Sequence, residues 1–250
     1  MKLLIKFAYL GSNFTGFQRG NGTGSVEDSI LEMIDKHGLG TGFRSAARTD
    51  RGVSALGNVL SLETDLKPQR VVGVLNSSVR NVTFHSYAIA GDDLDCRKCT
   101  SKQYRYVLPG DGIDVDRFRE RAQRFLGLHD FSSFCRKDGR NTVRSIDKVE
   151  VESKGGMIHV DFHSRGFLWN QVRTMVSFAA YQGDDYPEDP FKIDGRFPYI
   201  SPPWGLYLVD IMYDGITFAG HLGRRISGNL LSESVRRYVE HMVLDSLLHR

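Results

Sequence analysis

"LLIKFAY" (residues 3–9) and "KQYRYVLPG" (residues 102–110) are the two stretches on which the fold turns. In the first, Leu3, Ile5, Phe7 and Tyr9 fall on one side of an extended chain, the period-two pattern of a half-buried strand. Ser25-Val26-Glu27-Asp28 follows with the spacing of a helix-capping box, and Val26, Ile30, Leu31 and Ile34 continue at helical spacing until Gly38. Residues 58–64 read as a further strand, and "VVGVLNSSV" leads into another extended stretch near Val82 to Ala88, giving β-α-β-β character. The second stretch starts a similar series. Val115, Phe118, Ala122 and Phe125 share a helix face; strands are expected near 145–152 and 157–163, where Ile158, Val160 and Phe162 alternate with His159, Asp161 and His163. Leu168, Val172, Met175, Val176 and Ala179 mark another buried helix face, and a strand over 206–213 closes the series.

Hairpin-paired strands with long helices between them imply an α+β fold. Two similar β-α-β units would join antiparallel sheets into one central sheet, with helices on one face and a substrate cleft on the other. The expected division is residues 1–100, residues 101–214, and a helical tail over 215–250. In that tail Leu231, Val235, Tyr238, Val239, Met242 and Val243 form one stripe, the mark of a packing or dimer element.

Composition narrows the function. The chain has 250 residues, 40% of them apolar, enough for a substantial core. No stretch approaches the ~18 apolar residues of a membrane span, and the first residues run straight into a strand, so a cytoplasmic protein without membrane attachment is expected. Cys96, Cys99 and Cys135 are too few and odd in number for a disulfide framework. Cys96-Arg97-Lys98-Cys99 has metal-ligand spacing, but a tetrahedral zinc site needs about two more ligands and no second pair accompanies it, so no metal is expected. No phosphate-binding glycine loop or hydrolase signature is present, so any chemistry runs without a nucleotide cofactor.

The net charge of +3 hides local concentration. Arg44, Arg48 and Arg51 form one basic cluster; Arg97, Lys98, Lys102 and Arg105 lie beside Tyr104 and Tyr106; Arg136, Lys137, Arg140 and Arg144 lie near Phe131 and Phe134. Cations interleaved with aromatic rings suit phosphate contacts and base stacking. His129 in "GLHDFSSF", beside Asp130 and two phenylalanines, reads as a packed structural corner.

Within "SAARTDRGVSALG" (residues 45–57), Asp50 stands near Arg48 and beside Arg51. Taken alone this is an ordinary surface ion-pair pattern, worth ~0–1 kcal/mol. Its surroundings say more: Ala47-Arg48-Thr49-Asp50-Arg51-Gly52-Val53-Ser54-Ala55 resembles the Gly-Arg-Thr-Asp-x-Gly-Val-His-Ala signature of TruA-type tRNA pseudouridine synthases. "YLGSNFTGFQ", "SVEDSILEMI", "KQYRYVL", "GLHDFSSF", "TVRSI", "FLWNQVRTMV" and "PPWGLYL" resemble further motifs of that family, in its order, over about residues 3–213. Leu10, Ala47, Ser54 and Trp204 depart from the family pattern, and residues past 214 lie outside it.

The resemblance implies an isomerase that turns uridine into pseudouridine with no cofactor. It implies Asp50 as the catalytic carboxylate, Arg173 as its basic partner, and Tyr104 as the ring that stacks on the target uracil. Leu206 would wall the pocket and Arg48 would hold the swung-out RNA, while Arg97 and Lys102 belong to a basic cluster expected to contact substrate. A nearby cation is expected to lower the Asp50 pKa and keep it ionised. The implied substrate is the tRNA anticodon stem-loop, at positions thirty-eight to forty, and the implied assembly is a homodimer. A synthase with shifted position specificity and an inactive RNA-binding relative are the alternatives.

Overall fold

The computed structural model describes residues 1–20, 24–221 and 223–248. The chain order is β1 (Lys2–Tyr9), α1 (Val26–His37), β2 (Thr41–Ser45), β3 (Ser54–Glu63), α2 (Pro68–Ser78) and β4 (Val82–Ala90), then β5 (Ser101–Pro109), α3 (Val115–Gln123), β6 (Gly127–Asp130), β7 (Val143–Ile146), β8 (Lys148–Lys154), β9 (Met157–Ser164), α4 (Gln171–Ala179) and β10 (Leu206–Met212), and finally β11 (Ala219–Gly220) and α5 (Arg224–Leu248). Among the described residues, nine strands form one mixed sheet in the order β11-β4-β1-β3-β10-β5-β9-β8, with β2 also on β3; β6 and β7 make a separate hairpin.

The same strand order occurs twice. β4-β1-β3 in the first half corresponds to β10-β5-β9 in the second, each with a helix after its first and before its last strand. Within each half the pairing is antiparallel. The join is parallel and short, with Tyr207 opposite Ser54 and Leu208 opposite Ala55. It is short because β3 shares that edge: β2 pairs along residues 60–63, leaving only the start of β3 for β10. The chain between β2 and β3, residues 46–53, therefore emerges beside the seam.

Helices cover one face. Ser25 caps α1 by accepting the Asp28 N–H at 3.0 Å, and Gly38 ends it in the left-handed conformation at φ +56°. Val26, Ile30 and Ile34 of α1 are buried, as are Leu3, Ile5, Phe7 and Tyr9 of β1. In the second half Phe118 and Ala122 of α3 and Met175, Val176, Phe178 and Ala179 of α4 are buried over an aromatic cluster that includes Phe125, Phe131, Phe134 and Phe197. Fully burying one such side chain stabilises the fold by about 1.5–3 kcal/mol.

Three expectations need correction. The β-α-β-β reading of the first unit leaves out a helix, since "VVGVLNSSV" belongs to α2: Pro68 sits in its first turn, and Val71, Val72 and Leu75 bury one face. The tail does not start as helix, because β11 adds to the edge of β4 and Phe218 lies under the Lys6 ammonium at 4.6 Å. The apolar stripe of α5 is not packed away: Leu231, Val235, Tyr238 and Val239 are 55–68% exposed. Val243 of that stripe lies outside the residues whose side chains are described.

Candidate active site

Residues 46–53 form a turn pinned on every side. The Ala46 N–H donates to the Val59 carbonyl at 2.8 Å, Asn58 Nδ2 to the Ala47 carbonyl at 3.0 Å, and the Val53 N–H back to the Asp50 carbonyl at 3.1 Å. Tyr9 Oη and Thr49 Oγ1 are 2.8 Å apart, and burial holds the Tyr9 hydroxyl well above its ordinary pKa, so it stays a neutral anchor. Gly52 takes φ +85°, and a Cβ there would stand 3.0 Å from Pro203, so the turn closes against the Pro202-Pro203-Trp204-Gly205 loop only with glycine at this position. Ser54, where the family pattern has His, accepts the Gly11 N–H at 3.0 Å.

The turn presents Asp50 to α4. Arg173 Nη1 lies 3.3 Å from Asp50 Oδ2, while its Nε donates to the Ser201 carbonyl at 2.8 Å. The guanidinium is thus fixed from behind and offers one edge to the carboxylate. Asn170, three residues earlier, holds φ +66°, a conformation Asn tolerates better than most residues, and its Oδ1 accepts from Arg173 Nη1 at 3.4 Å. Arg48 and Arg51 are exposed, and Asp50 takes its ion-pair partner from 123 residues away.

Tyr104 and Leu206 complete the wall. They occupy neighbouring strands, Leu208 opposite Tyr104 and Leu206 opposite Tyr106, and are 8% and 6% exposed. Phe167 meets the Tyr104 ring edge-on at 5.2 Å. Burial, with the nearby Asp50 charge, drives the Tyr104 hydroxyl far above its ordinary pKa. Tyr106 Oη donates to the Pro202 carbonyl at 2.9 Å, holding the loop that leads to Leu206.

The expected lowering of the Asp50 pKa is overturned. Burial is the largest influence and raises it; the charge and hydrogen bond of Arg173, helped by the nearby Trp169 side chain, pull it down without winning. Asp50 is 27% exposed at its side chain, so it is partly stripped of water yet open to a ligand. A carboxylate in that state is more basic and less shielded than one in water, which suits attack or proton removal at a bound sugar or base.

Lys102 and Arg97, expected to contact substrate, both bond backbone carbonyls beneath the turn. Lys102 Nζ donates to the Ala46 carbonyl at 2.7 Å, with its pKa lowered by burial, and Arg97 Nε donates to the Ser45 carbonyl at 3.4 Å. Both brace the root of the Asp50 turn, although Arg97 is largely exposed. His129 is stacked on Phe191 at 4.0 Å and bonded to the Leu126 carbonyl, in keeping with a structural corner. Among the described residues no group of three side chains could hold a metal ion. Trp169 and Asn170 carried no role in the sequence reading; only the i, i+4 spacing of Trp169 to Arg173 pointed to them.

Residues 122–195 match the family model described as tRNA pseudouridine synthase. The chain is 41% identical over 248 residues to tRNA pseudouridine synthase A of Thermoplasma acidophilum, covering 98% of this chain and 96% of that protein, a span that takes in most of α5. It is 42% identical to tRNA pseudouridine synthase A of Thermoplasma volcanium, covering 86% of each, and 40% identical to that of Pyrococcus abyssi, covering 87% of each. Among solved structures, a Cbf5-Nop10-Gar1 complex aligns at TM-score 0.41 and 10% identity over 82% of this chain and 48% of the other.

Proposed function

The chain belongs to the TruA-type family of tRNA pseudouridine synthases, and from that premise we propose that Asp50 is its catalytic carboxylate and the tRNA anticodon stem-loop, at positions thirty-eight to forty, its target. The reaction breaks the bond from ribose C1′ to uracil N1, turns the base and joins C1′ to C5; the C5 proton leaves and N1 takes one up. Substrate and product are isomers, so no energy source is needed. The observation that carries the reading is the meeting of Asp50 and Arg173, delivered by separate halves of the chain, beside the buried Tyr104 and Leu206.

Arg173 fixes the pose of Asp50 through its anchored guanidinium, which lowers the entropy cost of reaching the reacting geometry. Attack on C1′, addition to C6 and removal of the C2′ proton all use a carboxylate held in this way. Tyr104 stacks on the uracil, Leu206 bounds the pocket, and Arg48 holds the RNA after the uridine leaves its stack, a step required because C1′ and C5 are not reachable together inside a stem. Arg97 keeps its charge at the surface and serves the RNA backbone as well as the turn, while Lys102 acts on substrate through the turn it braces. The enzyme works in the cytoplasm as a homodimer, and the exposed apolar stripe of α5 supplies a dimer element.

Release of tritium from C5-labelled uridine in an unmodified tRNA transcript tests the reading. Wild type is expected to release label at the stem-loop positions and Asp50→Asn to release none. Tight binding with no release by wild type would leave an RNA-binding protein, and release mapped to other positions would leave a synthase of different specificity.

A further inference from the structure

Arg136, which stacks on Trp169, lines a cavity of about 810 Å³, within the range of small-ligand sites. Its walls include Ser132, Ser133, Arg136, Lys137, Phe191 and Arg196. The two walls are tied together by the Phe197 N–H donating to the Ser133 carbonyl at 3.0 Å. Arg136 is not a loosely held surface cation. Its backbone N–H donates to the Trp169 carbonyl at 2.9 Å, and its guanidinium lies over the Trp169 ring at 4.0 Å. Stacking uses the flat face of the guanidinium and leaves its in-plane N–H donors for another group.

The cavity carries three cations against one carboxylate. Arg140, nearby in sequence, is neutralised by Asp138, with Nε donating at 2.9 Å, whereas neither Arg136 nor Arg196 is in an ion pair among the described residues. The one carboxylate on the wall, Asp130, is turned onto Thr142 Oγ1 and the Ser132 N–H, and those hydrogen bonds lower its pKa. Three cations, two hydroxyls and an aromatic wall suit a phosphodiester with its sugar. Trp169 connects this cavity to the reaction centre, since its side chain lies near enough to Asp50 to help lower the carboxylate's pKa while its ring face carries Arg136.

We propose that the cavity bounded by Arg136, Lys137 and Arg196 is a subsite for the sugar-phosphate of a nucleotide flanking the target uridine, with the Arg136–Trp169 stack as the partition between the two nucleotides. The inference rests on the synthase reading, because the ligand is the continuation of the strand that places uridine at Asp50.

The test is binding of the unmodified tRNA transcript by wild type and by Arg136→Gln/Arg196→Gln, as a function of salt. Both side chains are exposed, and unchanged thermal unfolding would verify that the fold is intact. Losing one or two phosphate contacts is expected to weaken binding about tenfold and to lower the slope of log Kd against log salt by about 0.7–1 per contact. A scan places one uncharged methylphosphonate linkage at a time near the target uridine, with the adjoining 2′-hydroxyl methylated so that the linkage survives. One such linkage is expected to weaken wild type by the same factor and to have no effect on the double variant. Wild-type affinity and slope in the variant overturn the proposal, as does a scan in which no linkage is silent in it. Absence of pseudouridine from the wild-type reaction would instead defeat the synthase reading, a result read separately from the binding curves.

Discussion

Two carboxylates in this molecule sit against arginines from distant segments, and they respond in opposite ways. Glu188 is gripped by Arg121 in a two-bond fork of 2.8 and 3.0 Å, with Arg117 adding a third contact at 2.9 Å, and its pKa is pulled down to about 2. Asp50 has one longer contact, 3.3 Å from Arg173, and burial leaves its pKa raised. The difference is one of solvation and geometry. Glu188 remains half in water, so its charge costs little to keep, and Arg121, fully buried and stacked near Phe178, gains a partner it needs. Asp50 gives up water for a single imperfect contact. One pair stabilises the fold; the other holds a partly desolvated carboxylate at some cost to it.

The largest expected effect breaks the comparison on the reactive side. Asp50→Asn should lower pseudouridine formation by about 10³-fold or more, while leaving thermal stability at neutral pH equal to wild type or higher. The sign follows from linkage: a carboxylate whose folded pKa is raised costs stability as pH rises through the window above its ordinary 3.8, and Asn removes that cost. A drop in neutral-pH unfolding temperature of several degrees would contradict it.

On the structural side, Arg121→Met should destabilise by about 2–3 kcal/mol, less than a fully buried pair because Glu188 keeps its water. Activity per folded molecule should be retained, which denaturant unfolding and a rate normalised to folded protein would check. Lys102→Met should cost about 1–3 kcal/mol by leaving the Ala46 carbonyl unpaired, and should slow turnover through the loosened turn. The salt slope of RNA binding should not change, which separates a brace from a phosphate contact.

Asn170→Ala, which puts a Cβ-bearing residue with no compensating amide into φ +66°, should cost about 1 kcal/mol, and Asn170→Gly less in stability but as much in rate. The smallest effect is in acid. The stability contributed by Glu188 is full above its ordinary 4.5 and is lost as pH falls toward about 2, so Glu188→Gln should be less stable than wild type at neutral pH, and the gap should close over that interval.

The sequence showed its local order well and its long-range order poorly. Alternation in β1, β5 and β9 and the cap at Ser25 are short-range signals, and each fell where the structure has them. α2 was hidden because an apolar run of valines interrupted by Gly73 fits a strand as readily as a helix face. β2 was hidden because four of its five residues are at least partly exposed, which leaves no apolar period to read. The motif positions pointed to Asp50, Arg173, Tyr104 and Leu206, but spacing alone could not say that Asp50 ignores its neighbours Arg48 and Arg51. Nor could it show that Lys102, one cation in a basic cluster, is spent on a backbone carbonyl.

The parallel seam between β3 and β10 has a bearing on timing. The turn that carries Asp50 is translated early, its partner Arg173 arrives 123 residues later, and Leu206 later still on the strand that closes the seam. Until β10 docks, a nascent chain holds a carboxylate with no guanidinium beside it and the start of β3 paired on one edge alone. With Asp50, Arg173 and Leu206 in the roles proposed above, the first half of this molecule matures on the ribosome before it is competent to alter tRNA, and competence arrives in one late step.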